Sequence, residues 1–332
     1  MTESHDAPIL SLEHVSKTFH SGKGTLIHAV RDVSLVINPR EIVCLVGESG
    51  SGKSTTANLI MGTETPTQGV VSYRGQNLAQ IRTRSAILDY RRHVQMIFQD
   101  PYGSLNSLHT VGYTVGRPMQ IHHLVPSINR GADQILRLLR QVGLTPPSEY
   151  YYKLPYQLSG GQRQRVAIAR ALAVQPDLVV ADEPVSMLDV SLRAGILQLI
   201  LEARESAGVA FLYITHDLAS ARYIGDRILV MYKGRLCEEG PAEEVIAHPH
   251  HPYTQALVEA VPNPERMGQP EEIIVTPDLN ETKVLGSGCP YYPLCPVATA
   301  QCQDTMPEWT FVQDQHQVRC FNAAPLSMHH TS

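Results

Sequence analysis

The chain has 332 residues, 43% hydrophobic and 18% charged, with 27 Lys plus Arg against 32 Asp plus Glu for a formal charge of −5. That size buries a substantial core as one large domain with an appendage or as two domains, and an acidic balance without a basic tail argues against nucleic acid as a partner. No run approaches the ~18 apolar residues of a membrane span, and the opening M-T-E-S-H-D lacks the features of a secretion signal, so the chain is expected neither to cross a membrane nor to be exported.

Up to about residue 260, short apolar runs alternate with amphipathic segments, as in α/β folds. After V-S-K-T-F, which ends at Phe19, residues 20 to 29 read as a loop of variable form. Ile42–Val46 is a buried-strand candidate that runs directly into G-E-S-G-S-G-K-S, residues 47–54. This octet satisfies the P-loop pattern G-x-x-x-x-G-K-[ST]. Its glycines let backbone amides close on phosphate, and the following helix presents its N-terminal amides to the same anion. Lys53 would reach the β and γ phosphates, and the Ser54 hydroxyl would ligate Mg²⁺.

Further along, Ile135, Leu138, Leu139 and Val142 recur at helical spacing, with Gly143 as a stop. In L-S-G-G-Q, Ser159 and Gln162 fit a capping box, and Gly160 and Gly161 leave bare amides at a helix N-terminus. This second anion-seeking helix end is best explained if it serves a nucleotide held by another subunit. Leu178–Ala181 is a buried strand that delivers Asp182 to its C-terminal end, where it would hold Mg²⁺. Glu183 is then placed to polarise an attacking water. Leu192, Ile196, Leu199, Ile200 and Ala203 mark a helix stopped by Gly208, and Ala210–Ile214 is a further strand.

Taken together, G-E-S-G-S-G-K-S, L-S-G-G-Q and L-V-V-A-D-E resemble an ATP-binding cassette (ABC) ATPase over roughly residues 9–260. Smaller pieces agree. Gln99 in M-I-F-Q-D-P matches the Q-loop, Asp189 in S-M-L-D the D-loop, His216 in I-T-H-D the switch histidine, and Phe19 the aromatic that stacks on adenine. The resemblance implies an α/β P-loop NTPase core with a helical signature subdomain at about 100–175. It implies that Gly47, Ser49, Gly50, Ser51, Gly52, Lys53, Ser54 and Thr55 wrap one ATP. Ser159, Gly160, Gly161 and Gln162 would close on the partner subunit's ATP, with Asp189 at the same junction. Gln99 would join Ser54 and Asp182 at Mg²⁺ and lie on the segment that touches a membrane subunit. His216 would bond the γ-phosphate and orient Glu183.

Three stretches narrow the resemblance: Y-R-R-H-V-Q-M-I-F-Q-D-P-Y-G-S-L-N, D-E-P-V-S-M-L-D-V-S and H-P-H-H-P-Y-T-Q-A-L-V-E-A-V-P. They are similar to the F-type ATPase subunits of oligopeptide and dipeptide importers, some relatives of which move nickel, glutathione or oligosaccharides. The implied partners are a second ATPase (a D-type subunit, or a second copy), two membrane permease subunits and, indirectly, an extracellular binding protein. No nucleic acid is implied, and the expected place is the cytoplasmic face of the cell membrane. Met187 is a departure in the D-loop, where a smaller residue is usual. His250 and His251 invite a metal reading, but the interleaved prolines favour a structural one. Tandem cassettes would mark a soluble translation factor and a long coiled coil a repair ATPase, and the sequence has neither.

The texture changes near residue 262, where a boundary is expected: nine of the 23 prolines lie in the final 72 residues. The 262–332 extension carries Cys289, Cys295, Cys302 and Cys320, spaced C-x₅-C-x₆-C-x₁₇-C. Clustered thiols in a cytosolic chain more often hold a metal than form disulfides. Zinc usually takes tighter C-x₂₋₄-C pairs, whereas wide spacing suits a 4Fe–4S cluster, with each thiolate on a different corner. The importers that the chain resembles can carry such a cluster. Cluster, zinc and unligated thiols are the three readings.

Overall fold

The computed structural model describes residues 7–20, 26–260 and 287–324. Among these the strands are β1 (Leu10–His20), β2 (Leu26–Ile37), β3 (Ile42–Val46), β4 (Gln68–Tyr73), β5 (Gln76–Asn77), β6 (Val94–Ile97), β7 (Leu178–Asp182), β8 (Ala210–Thr215), β9 (Arg227–Tyr232), β10 (Arg235–Pro241), β11 (Thr310–Gln313) and β12 (His316–Val318). They form a four-stranded sheet, β2-β1-β4-β5, and an eight-stranded sheet, β11-β12-β10-β9-β3-β8-β7-β6.

The five strands from β9 to β6 run parallel, in the register Val46↔Thr215 and Asp182↔Ile214. Parallel strands covered on both faces read as continuous apolar runs, and every residue of β3 and β8 is buried. Side chains still alternate between faces. Ile42, Cys44 and Val46 enter a core shared with the helices, while Val43 and Leu45 enter one shared with the antiparallel sheet.

An arm of helices leaves this sheet between β6 and β7: Val111–Ile121, Ala132–Gln141, Pro147–Tyr151 and Gly160–Leu172. Ile135, Leu139 and Val142 face its interior, as their spacing predicts. The expected helix after residue 190 runs over Val190–Ala207 and stops at Gly208, which takes a left-handed conformation at φ 69°. None of the helices is long and apolar enough to cross a membrane, among the described residues. The loop expected over 20–29 is shorter than the sequence suggested. Leu26, Ile27 and His28 already pair with His20, Phe19 and Thr18, because β1 supplies a ladder that favours an extended backbone. Residues 21–25, and the boundary placed near 262, lie outside the described residues.

The C-terminal segment lengthens the large sheet, since β12 pairs with β10 at Glu238↔Val318. Glu238 is wholly buried and gathers the joint. Its Oε1 accepts from the His250 amide and from His316 Nε2, each at 2.8 Å, and its Oε2 accepts from the His251 amide at 2.9 Å. A carboxylate can stay buried only when its lone pairs are met in this way. Replacing Glu238 with Ala would strand three buried donors, at about 1–3 kcal/mol for a single lost partner. Glu238→Ala is expected to lower the denaturation midpoint by an amount equivalent to about 3 kcal/mol, read by urea unfolding. Glu238→Gln, which keeps one carbonyl acceptor, should lose less.

Candidate active site

The turn that follows β3 tolerates no side chain at two positions. A Cβ on Gly47 would stand 2.2 Å from the Met231 carbonyl oxygen, and one on Gly52 would stand 2.4 Å from that of Ala29. Gly52 also sits at φ 110°, a conformation favourable only to glycine, and there caps the helix Lys53–Ile60. The Gly234 amide backs the turn by donating to the Ser51 carbonyl at 2.7 Å. Lys53 is 6% exposed, and its ammonium donates to the Gly47 and Glu48 carbonyls, both at 2.7 Å. Burial lowers its pKa, opposed by the charges of Glu183, Asp182 and Glu48. Ser49, Gly50 and Ser54 form the open rim, with Thr55 half-buried behind them.

Adjacent parallel strands bring the acidic groups to this turn. Asp182 ends β7, with the Ser54 hydroxyl beside its carboxylate. Burial raises its pKa above the ordinary carboxylate value, only partly offset by Ser54 and Lys53, so a bound cation would relieve it. Glu183 follows in a left-handed backbone conformation at φ 45°, which is costly for a residue with a Cβ. Its amide donates to Ile214 across to β8 at 2.9 Å. Gln99, just past β6, donates to Glu183 Oε2 at 2.9 Å, and His216, just past β8, meets Glu183 Oε1 through Nδ1 at 2.9 Å. Three residues distant in sequence thus meet at one carboxylate.

Ser159 caps the helix Gly160–Leu172 with the reciprocal bonds read from the sequence: Gln162 N to Ser159 Oγ at 3.3 Å, and Ser159 N to Gln162 Oε1 at 3.0 Å. Sequence reasoning missed the support beneath this loop. Arg163 donates to the Pro155 and Leu158 carbonyls, both at 2.7 Å, and its guanidinium lies 3.8 Å from the Tyr102 ring centroid. Asp189 is exposed at the start of Val190–Ala207. Phe19 is half-buried on β1, with the Lys17 ammonium 4.8 Å over its ring, so one face already carries a cation.

Cys289, Cys295, Cys302 and Cys320 line one pocket, together with His251 and Arg319. The Thr299 amide lies 3.5 Å from Cys302 Sγ. Thr299 Oγ1 lies 3.3 Å from Cys302 Sγ. Burial raises the pKa of the Cys289, Cys295 and Cys320 thiols. Among the described residues, no group of three or more His, Cys, Asp or Glu side chains is gathered as a metal-ion site. The four cysteines thus share a pocket without forming a preformed ion site for the expected metal.

Comparison with known proteins adds relatives to this geometry. Residues 30–186 match the family described as "ABC transporter", and residues 237–302 match "Oligopeptide/dipeptide transporter, C-terminal region". The Probable peptide ABC transporter ATP-binding protein y4tS of Sinorhizobium fredii is 40% identical over 307 residues, covering 92% of this chain and 86% of that one. The Oligopeptide transport ATP-binding protein OppF of Bacillus subtilis is 43% identical over 257 residues, 77% of this chain and 83% of that one. Among solved structures, the post-hydrolysis dimer of the ATP-binding cassette MJ0796, bound to ADP and Pi, is 32% identical with a TM-score of 0.64. That match covers 70% of this chain and 98% of the other.

Gly52→Ala drives a methyl group into the Ala29 carbonyl and forces an unfavourable φ. Thermal unfolding should register a loss of more than ~1 kcal/mol, whereas Gly50→Ala, with open space around it, should lose less.

Proposed function

The chain belongs to the ABC transporter ATP-binding proteins, and on that premise we propose that it is the ATP-hydrolysing subunit of a peptide importer. The observation that carries the proposal is the meeting of Gln99, Glu183 and His216 at the strand ends beside the phosphate turn. Relatives named for peptide, oligopeptide and dipeptide transport match over most of the chain and supply the substrate class.

Gly47 to Thr55 take the phosphates of ATP, with Lys53 still seated on the Gly47 and Glu48 carbonyls and its remaining N–H turned to the β and γ oxygens. Phe19 offers its free face to adenine. Ser54, Asp182 and Gln99 would hold Mg²⁺, which would neutralise phosphate charge; the Asp182 carboxylate, stressed by burial, and the Ser54 hydroxyl beside it fit that ion. Gln99 and His216 each take one lone pair of Glu183, one on either oxygen, and the remaining lone pairs are left to accept a proton from water. The water oxygen attacks the γ-phosphorus in line, the bond to the ADP oxygen breaks, and the water proton passes to Glu183. His216 keeps Glu183 aligned and bonds the γ-phosphate.

Ser159 to Gln162 close on the ATP of a second cassette, with Asp189 beside that junction, so two subunits complete each other's sites. The partner is a D-type ATPase, and the pair sits on the membrane at the cytoplasmic face of two permease subunits. Phe98, Tyr102 and Leu108, exposed next to Gln99, supply apolar surface for that contact. In the extension, the pocket that the four cysteines share supports a 4Fe–4S cluster on Cys289, Cys295, Cys302 and Cys320, with a structural role. Zinc would require the four sulfurs to close on one ion.

Glu183→Gln keeps the shape of the site and removes the base. Steady-state hydrolysis by the assembled transporter should fall at least ~100-fold with ATP still bound; wild-type turnover would refute the role. Ser159→Arg should abolish hydrolysis at the partner's site while this chain's own turn still binds ATP. Anaerobically purified protein should contain iron and acid-labile sulfide, and Cys295→Ser should lose both. One zinc and no sulfide would exclude the cluster.

A further inference from the structure

The H-P-H-H-P-Y segment is left without a part in the chemistry above, yet it reaches the phosphate turn. Tyr253 is 1% exposed and begins the helix Pro252–Glu259, where its amide donates to His251 Nδ1 at 3.0 Å. Its hydroxyl oxygen accepts from the Glu48 amide at 3.0 Å. That N–H and the Gly47 carbonyl belong to one peptide unit, and a peptide unit is planar. Fixing the N–H therefore fixes the direction of the Gly47 carbonyl, which is one of the two that hold the Lys53 ammonium.

The Tyr253 ring is held from the other side by aromatic neighbours. Its centroid lies 4.4 Å from that of Tyr232 and 5.5 Å from that of Tyr291, and Tyr291 stands edge-on to Tyr232 at 5.3 Å. Tyr291 is part of the cysteine-bearing segment, two residues past Cys289, whose carbonyl accepts from the Tyr292 amide at 3.1 Å. A continuous packed path therefore runs from the cysteine pocket through Tyr291 and Tyr253 to the peptide unit that aims at Lys53.

We propose that Tyr253 is a positioning residue for ATP binding, through which the docked C-terminal extension sets the geometry of the phosphate turn. This rests on the reading of residues 47–55 as the ATP site. Tyr253 touches no nucleotide; it acts through the Gly47–Glu48 peptide and Lys53.

The test uses the full chain with Mg²⁺ and titrates the fluorescent nucleotide MANT-ATP. Tyr253→Phe keeps the ring and removes only the acceptor, so the Kd should rise roughly fivefold, the worth of one hydrogen bond. In the assembled transporter the same variant should raise KM for ATP with kcat close to wild type, a split that general loosening of the fold would not produce. Tyr291→Leu, which removes an edge-on ring but fills the space, should raise the Kd about twofold in the parent chain. In the Tyr253→Phe background it should add nothing, because the path is already cut. A wild-type Kd for Tyr253→Phe, or a Tyr291→Leu effect of equal size in both backgrounds, overturns the proposal. Failure of the unaltered chain to bind MANT-ATP would instead overturn the reading of the ATP site.

Discussion

Parallel pairing of β3, β8, β7 and β6 is the constraint on which the site depends. Parallel strands in register finish together, so the turn after β3, the acids at the end of β7, Gln99 after β6 and His216 after β8 emerge at one edge. The order of these segments in the chain is irrelevant to this result. Crossover connections carry Gln99 and Glu183 apart by 84 residues, and the sheet brings their side chains to 2.9 Å. Burial of both faces of β3 and β8 then fixes the register, because a slip by one residue would exchange the two cores.

Much of this was legible from residue types. The run Ile42–Val46 is apolar throughout and meets glycine abruptly, which is how a buried parallel strand ends at a phosphate turn. Ser159 with Gln162 announced a helix start through reciprocal capping, and both bonds are present. The left-handed backbone of Glu183 was not legible, since D-E-P-V contains no glycine to signal it; the bond from its amide to Ile214 over-determines the conformation. Nothing in the sequence singles out Arg163, and only tertiary packing puts its guanidinium on Tyr102. The expected loop over 20–29 failed at its far end for a similar reason, because pairing with β1 outweighed local composition.

The extension shows the same limit on a larger scale. Its prolines and cysteines suggested a separate stapled module, and sequence offers no sign that β12 would join the edge of β10. Glu238 makes that joint possible. It lies in a strand of mixed polarity, R-L-C-E-E-G-P, where alternation does not say which acid is buried. Its three donors are the backbone amides of His250 and His251 and the ring of His316, so the histidine pair that invited a metal reading contributes its backbone to the joint. Docking in this way also places Tyr253 beneath the phosphate turn, tying the least regular part of the chain to its most constrained part.

These strand ends hydrolyse ATP to move peptides. The most direct measurement is uptake of a radiolabelled peptide into proteoliposomes that hold this chain with its partner ATPase and permease subunits, supplied with the binding protein outside and ATP inside. The account predicts accumulation that requires internal ATP and stops when this chain carries Glu183→Gln. ATP hydrolysis that proceeds with no peptide accumulating, or uptake that persists without ATP, would contradict it.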